Sequence, residues 1–213
     1  MKAACTMEET RRVLLFVAAR MIASQDVLSE ADRQIGDGDH GVGMGRGFEA
    51  VQTRLLQAAP ASLEDLFKTT GMALLTSIGG ASGAIFGTWF RSGAKGLAGA
   101  EQLDAGGLAA FLREGLAGVQ ERGKAQEGDK TMVDALAPAA RAAAERQSEG
   151  LEAALAAAAQ AAEEGMQRTE GMLAAVGRAK TLGERALGHP DPGAISTALI
   201  LRSMFQAVAQ MDG

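Results

Sequence analysis

Tyrosine is absent, tryptophan occurs once, and aromatic residues make up only 4% of the 213 positions. Clusters of the β-branched and aromatic residues that favour a pleated surface are missing too, which argues against a β-rich core. The interior has to be built from Leu, Ala, Met and Val at helical spacing, so the expected fold class is all-α. A single cysteine, Cys5, excludes an internal disulfide and suits a reducing compartment. No apolar run approaches the ~20 residues that span a bilayer. The opening MKAACTMEETRR puts acidic residues and arginines where a signal peptide needs its apolar segment. Lys and Arg number 21 against 26 Asp and Glu, a net charge of −5, and no basic block is placed to track a nucleic-acid backbone. The expectation is a cytoplasmic protein with neither nucleic acid nor membrane as partner. No linker and no internal repeat divides the chain, so residues 1–213 are read as one domain.

Apolar periodicity and capping signals predict eight helices. Thr6 and Glu9 have capping-box spacing and open a first helix over about 6–25. Met44, Phe48, Val51 and Leu55 mark a second, starting inside a glycine cluster and running to about Gln57. Ser62 and Asp65 open a third, which stops at IGGASG, residues 78–83. The fourth carries Ile85, Phe86, Trp89 and Phe90, aromatics better suited to the core than to stacking on a ligand. A fifth spans about 107–121. A sixth runs from about Thr131 through an alanine-rich stretch, with Pro138 near its tolerant first turn. The alanine run from 151 is read as a close-packed helix over about 150–175 rather than a disordered segment. Pro192 suits the first turn of an eighth helix.

The chemistry-bearing stretch is DRQIGDGDHGVGMGRG, residues 32–47, with three aspartates, one of the two histidines, and glycine at nearly every second position. Asp and Gly are ordinary turn residues, so a polar connection between helices is one reading. The other is a site for a hard divalent cation holding phosphate, because carboxylates among small residues leave the backbone free to approach a ligand. Zinc is disfavoured for want of His and Cys. The twelfth-position Glu of a calcium loop is missing, and neither common phosphate-loop pattern has its required context.

The remaining glycine-rich segments decide between these readings. If consecutive helices run antiparallel, the connections after helices 1, 3, 5 and 7 share one end. Those are residues 32–43, 78–83, 122–131 and 177–193, whereas the even-numbered connections, around 58–61, 93–107 and 147–150, look like plain turns. Helices starting near Gly41, Ala81, Thr131 and Gly193 would then aim unpaired N–H groups and positive dipole ends at one mouth, where an anion binds. With Asp32, Asp37 and Asp39 to hold Mg2+, the pattern points to a magnesium-nucleotide site for phosphoryl transfer.

DRQIGDGDHGVGMGRGF, TSIGGASGAIFGT, RGKAQEGDKTM and LGERALGHPDPGA, in this order, resemble the nucleotide-binding L subunits of bacterial dihydroxyacetone kinases, a domain that also forms the C-terminal half of the single-chain kinases. The resemblance covers essentially the whole chain. It implies an eight-helix antiparallel barrel capped at one end by ADP or ATP. Asp32, Asp37 and Asp39 would correspond to ligands of two Mg2+ ions. His40, Gly41, Val42 and Gly43, with Ala81 and Ser82, would meet the phosphates. Gly123, Met132, Arg178 and the Pro190, Asp191, Pro192 turn would close on the rest of the nucleotide. No side-chain nucleophile is implied. Gly43 and Gly45 stand where the family often has asparagine, so contacts at 43 would be made by backbone alone. The implied partners are a K subunit that holds dihydroxyacetone covalently and, in phosphotransferase-system versions, an M phosphocarrier subunit that rephosphorylates bound ADP. Other versions exchange ATP. A kinase for another substrate such as erythrulose, or a nucleotide-sensing partner of a transcriptional regulator, are the competing expectations.

Overall fold

The cap signals legible in the sequence are the ones the backbone uses. The computed structural model describes residues 1–57 and 59–211. A short strand β1 (Ala4–Thr6) leads into α1 (Met7–Ala23), where Thr6 and Glu9 form the expected reciprocal capping box, at 2.8 Å and 3.3 Å. After α1 come α2 (Gln25–Ile35), α3 (His40–Gln57), α4 (Leu63–Ser77) and α5 (Gly80–Gly93). Strand β2 (Gln102–Asp104) precedes α6 (Ala105–Gly123), α7 (Val133–Glu145), α8 (Leu151–Arg168) and α9 (Pro192–Ala209). The expected turn at 58–61 begins at Ala58, which lies outside the described residues.

Eight of these helices close a ring. α1 packs on α3, each helix from α3 to α8 packs on its successor, and α9 returns to α1. The all-α barrel expected from the sequence is therefore present. Its interior is filled rather than hollow, with Phe67 packed at a tilt on Phe111 at 4.7 Å between ring centroids and Trp89 on Phe90 at 5.2 Å. Trp89, Phe86 and Phe90 are buried core residues, as expected.

Three features depart from the expected helix list. α2 is a ninth helix, lying outside the ring against α3 and α9. Ser24 bends the chain after α1 without unwinding it, and the buried stripe of α2, Leu28, Ser29, Asp32 and Ile35, has helical spacing but only two apolar residues, too few to announce a helix by apolar periodicity. Residues 4–6 and 102–104 pair as a small antiparallel ribbon, with Cys5 opposite Leu103, the second strand lying inside the 93–107 connection read as a plain turn. α8 ends at Arg168 instead of about 175, because the chain turns into a 3-10 segment at Thr169–Gly171.

Pro138 sits in the second turn of α7, deeper than expected. Its ring removes the N–H that would have bonded the Asp134 carbonyl. The neighbouring helix uses that gap, since Gly165 of α8 comes so close that a Cβ there would lie 2.1 Å from the Asp134 carbonyl oxygen. Ala154, Ala158 and Ala162 of α8 are buried on this packing face, so the alanine run is a tight helix and not low complexity.

Candidate functional site

The starts of α3, α5, α7 and α9 all border one cavity of about 950 Å³. This is the end of the ring where the odd-numbered connections were expected to gather. The volume falls in the range typical of small-molecule sites. One side of the cavity is acidic and glycine-rich; the other is apolar, formed by Ile85, Phe86, Val119, Met132 and Val176.

α2 delivers the first carboxylate. Asp32 lies in its last turn, nearly buried, and accepts a hydrogen bond from the His40 N–H at 3.1 Å. That bond closes the 36–39 loop and brings Asp37 and Asp39 round to the same spot. One carboxylate oxygen from each of Asp32, Asp37 and Asp39 lies within 4.8 Å of the others. Gly36 makes room for this, since a Cβ at that position would lie 2.1 Å from Asp32 Oδ1. Three hard oxygen donors at this spacing suit magnesium, whose metal–oxygen distances of ~2.0–2.1 Å let one or two ions bridge them after small side-chain rotations. Arg178 forms an ion pair with Asp37 and lies 3.9 Å from Asp39, which offsets the crowding of like charges.

His40 joins three helices. Its Nδ1 meets Ser82 Oγ of α5 at 3.3 Å, and its Nε2 meets Ser196 Oγ of α9 at 2.8 Å. Burial favours the neutral ring and pushes the imidazole pKa down, partly countered by the nearby Asp32 charge and a hydrogen bond to the Pro192 backbone. Both ring nitrogens thus meet serines, and the part of His40 that bears on a ligand is the helix start it anchors.

Gly79 and Gly80 reverse the chain between α4 and α5 with φ of +82° and +57°, a region that penalises side chains. α5 has no side-chain cap, so the first-turn amides at Ala81 and Ser82 face the cavity unclaimed. Arg46 of α3 ties off the preceding helix by donating to the Ser77 and Ile78 carbonyls, both at 2.6 Å. On the far side, Asp191 caps α9 by accepting from the Ala194 N–H at 2.8 Å, with Pro192 at the first position. Desolvation, reinforced by Asp134, pushes the Asp191 pKa up to about 7 against the pull of its backbone hydrogen bonds and Lys130.

Of the residues singled out in the sequence, Asp32, Asp37, Asp39, His40, Val42, Gly43, Ala81, Ser82, Gly123, Met132, Arg178, Asp191 and Pro192 line the cavity together. Gly41 and Pro190 do not. Gly41 faces α2, where a Cβ would lie 2.1 Å from the Gln25 carbonyl, so the missing side chain serves helix packing. Pro190 follows His189 just outside the wall. Sequence reasoning missed Ser196, Arg46 and Lys130. The first two look like ordinary helix polar residues, and Lys130 like a solvated loop lysine in GDKTM.

Comparison with known proteins agrees with this geometry. The DAK2 domain family matches residues 34–206. A Listeria innocua protein named PEP-dependent dihydroxyacetone kinase 1, ADP-binding subunit DhaL, is 40% identical over 189 residues, covering 88% of this chain and 89% of its own length. The Escherichia coli PEP-dependent dihydroxyacetone kinase, ADP-binding subunit DhaL, is 41% identical over 187 residues, covering 87% and 89%. Among solved structures, the dihydroxyacetone kinase from C. freundii in complex with AMP-PNP and Mg2+ superposes with a TM-score of 0.75 at 27% identity, over 97% of this chain and 35% of that one.

Proposed function

The chain belongs to the DAK2-domain family, and we propose that it is the nucleotide-binding subunit of a dihydroxyacetone kinase, transferring phosphoryl from a magnesium-bound nucleotide to dihydroxyacetone held on a separate K subunit. The observation that carries this reading is the meeting of the Asp32, Asp37 and Asp39 carboxylates with the uncapped start of α5 in one cavity.

In this reading residues 1–213 act as one cytoplasmic domain. Asp32, Asp37 and Asp39 would hold two Mg2+ ions, which would supply charge neutralisation to the phosphates. The amides at Gly80, Ala81 and Ser82 and the dipole of α5 orient the phosphate chain. Gly43, having no side chain, leaves the approach from α3 to backbone alone. The apolar wall takes the base and excludes water, and Arg178 balances the carboxylate charge at the rim. Positioning of this kind does most of the work in phosphoryl transfer, so no nucleophilic side chain is needed.

We further propose that the nucleotide is ADP kept in place and recharged by an M-type phosphocarrier. Support comes from the two DhaL relatives, named as ADP-binding subunits of PEP-dependent dihydroxyacetone kinases. Isothermal calorimetry tests the site itself. ADP should bind one to one in the presence of Mg2+, and Asp37→Ala should weaken it at least about tenfold, the lower range of losses seen even for residues that merely support a metal ligand. No binding to the wild-type protein, or equal binding to the variant, contradicts the proposal. Among the described residues no helix is long and apolar enough to cross a membrane.

A further inference from the structure

Lys130 is an unusual residue for its place in the chain. It lies in a loop and has a left-handed backbone, with φ of +60°, yet its side chain is 1% exposed. A lysine buried to that degree needs partners. Its ammonium donates to the Thr169 carbonyl at 2.5 Å and to the His189 carbonyl at 2.6 Å. These two carbonyls mark the beginning and the end of the segment between α8 and α9.

That segment is a strap on the cavity rim. It carries Arg178 to Asp37 and packs its 3-10 turns, Arg178–Ala186, against α2. Between residues 171 and 190 only Ala186 is buried. Gly177, Gly183 and Gly188 all have positive φ, and a Cβ on any of them would meet nothing within 4 Å. A surface segment with so little burial opens at small cost, so its position depends on a few ties: the Ala175 N–H to the Asp129 carbonyl at 3.2 Å, Val176 against the core, and the way its ends are held. Both ends are held at one point. Gly188 N–H donates to the Glu170 carbonyl at 2.8 Å, Asp191 N–H donates to Thr169 Oγ1 at 2.9 Å, and the Lys130 ammonium spans the same neck. Lys130 belongs to the loop that also lines the cavity, so a single side chain couples that wall to the strap.

We propose that Lys130 is a positioning residue for the nucleotide site: by bridging Thr169 and His189 it closes the neck of the strap and so holds Arg178 at the rim beside Asp37. Lys130 acts through Arg178 rather than on the nucleotide. The inference rests on the nucleotide-site reading above, but the strap can be examined without nucleotide.

The test uses the full chain with Lys130→Met, Arg178→Ala and the double variant. Trypsin under native conditions reports strap opening through cleavage at Lys180 and Arg185, and calorimetry with ADP and Mg2+ reports affinity. Lys130→Met should stay helical and melt cooperatively, yet be cleaved in the strap at least about tenfold faster, the signature of local opening. Its ADP affinity should fall roughly tenfold. Arg178→Ala should lose affinity with the strap still closed. The double variant should bind within about twofold of Arg178→Ala, because two residues acting in series do not add. A folded Lys130→Met with wild-type cleavage and affinity overturns the proposal, and so do losses that multiply in the double variant. Should the wild type bind no ADP, the nucleotide-site reading falls while the cleavage comparison still decides the clamp. Should Lys130→Met not fold, hydrogen exchange on the wild type decides instead. Protected amides at Gly188 and Asp191 beside fast-exchanging ones across Arg178–Ala186 support the clamp, and unprotected neck amides overturn it.

Discussion

His40 and Ser196 stand 156 positions apart in the chain and meet at 2.8 Å, ring nitrogen to hydroxyl, inside the end of the barrel where the cavity lies. With Ser82 on the other ring nitrogen, the contact sets the spacing of the starts of α3, α5 and α9. Ser196→Ala would remove the 2.8 Å hydrogen bond from a buried ring nitrogen, leaving it only the Pro192 backbone as a polar neighbour. The expected loss is about 1–3 kcal/mol of stability. For a chain of this size that lowers Tm by about 2–4 °C per kcal/mol, readable in a thermal melt. An unchanged Tm would mean the bridge holds nothing.

Gly36→Ala should separate ligand binding from folding. The added Cβ would lie 2.1 Å from Asp32 Oδ1, so the carboxylate has to swing away from Asp37 and Asp39. Backbone strain is not the cause, since φ at Gly36 is −144°. Titration with Mn2+ or Mg2+ plus ADP should show affinity reduced by about tenfold or more, in line with the sensitivity of metal sites to ligand placement. The melting curve should move little.

Asp191 sets a pH dependence of stability. Its folded pKa of about 7 stands above its ordinary value of 3.8, so the folded state binds the proton more tightly than the unfolded chain. Its contribution is therefore fully present below pH 3.8 and is lost as pH rises through 7. Asp191→Asn keeps a capping side chain while removing the buried charge. It should raise stability at pH 8 by up to about 4 kcal/mol, the equivalent of the shift, and by less where cavity water screens the carboxylate. The gap between variant and wild type should close toward pH 4. A gap of the same size at both pH values would exclude Asp191 as its source.

Much of this was legible in the sequence because it depends on local rules. The Thr6–Glu9 and Ser62–Asp65 caps, the Pro192 helix start and the gathering of the odd connections follow from residue chemistry and helix direction alone. What escaped depends on contacts between distant segments. The buried stripe of α2 has helical spacing, but only Leu28 and Ile35 in it are apolar, and without α2 there was no way to see that the Cα of Gly41 packs against it. Lys130 becomes a buried clamp only when the Thr169 and His189 carbonyls close around it, and Ser196 matters only because His40 reaches it.

Gly165→Ala tests the packing that shapes the far wall. A methyl group there would lie 2.1 Å from the Asp134 carbonyl oxygen and 3.0 Å from Pro138, neither of which can give way as a flexible side chain would. The helices α7 and α8 would be forced apart. The expected destabilisation is about 1–3 kcal/mol, measured by urea unfolding.

The central claim is that four segments far apart in the chain grip one ligand. Mn2+ with ADP, in place of Mg2+ with ADP, broadens the NMR signals of nuclei near the bound ion and so tests that convergence directly. The account predicts simultaneous broadening in residues 32–43, 79–82, 131–132 and 192–193. Broadening confined to residues 32–43, with Ser82 and Gly193 untouched, would contradict it.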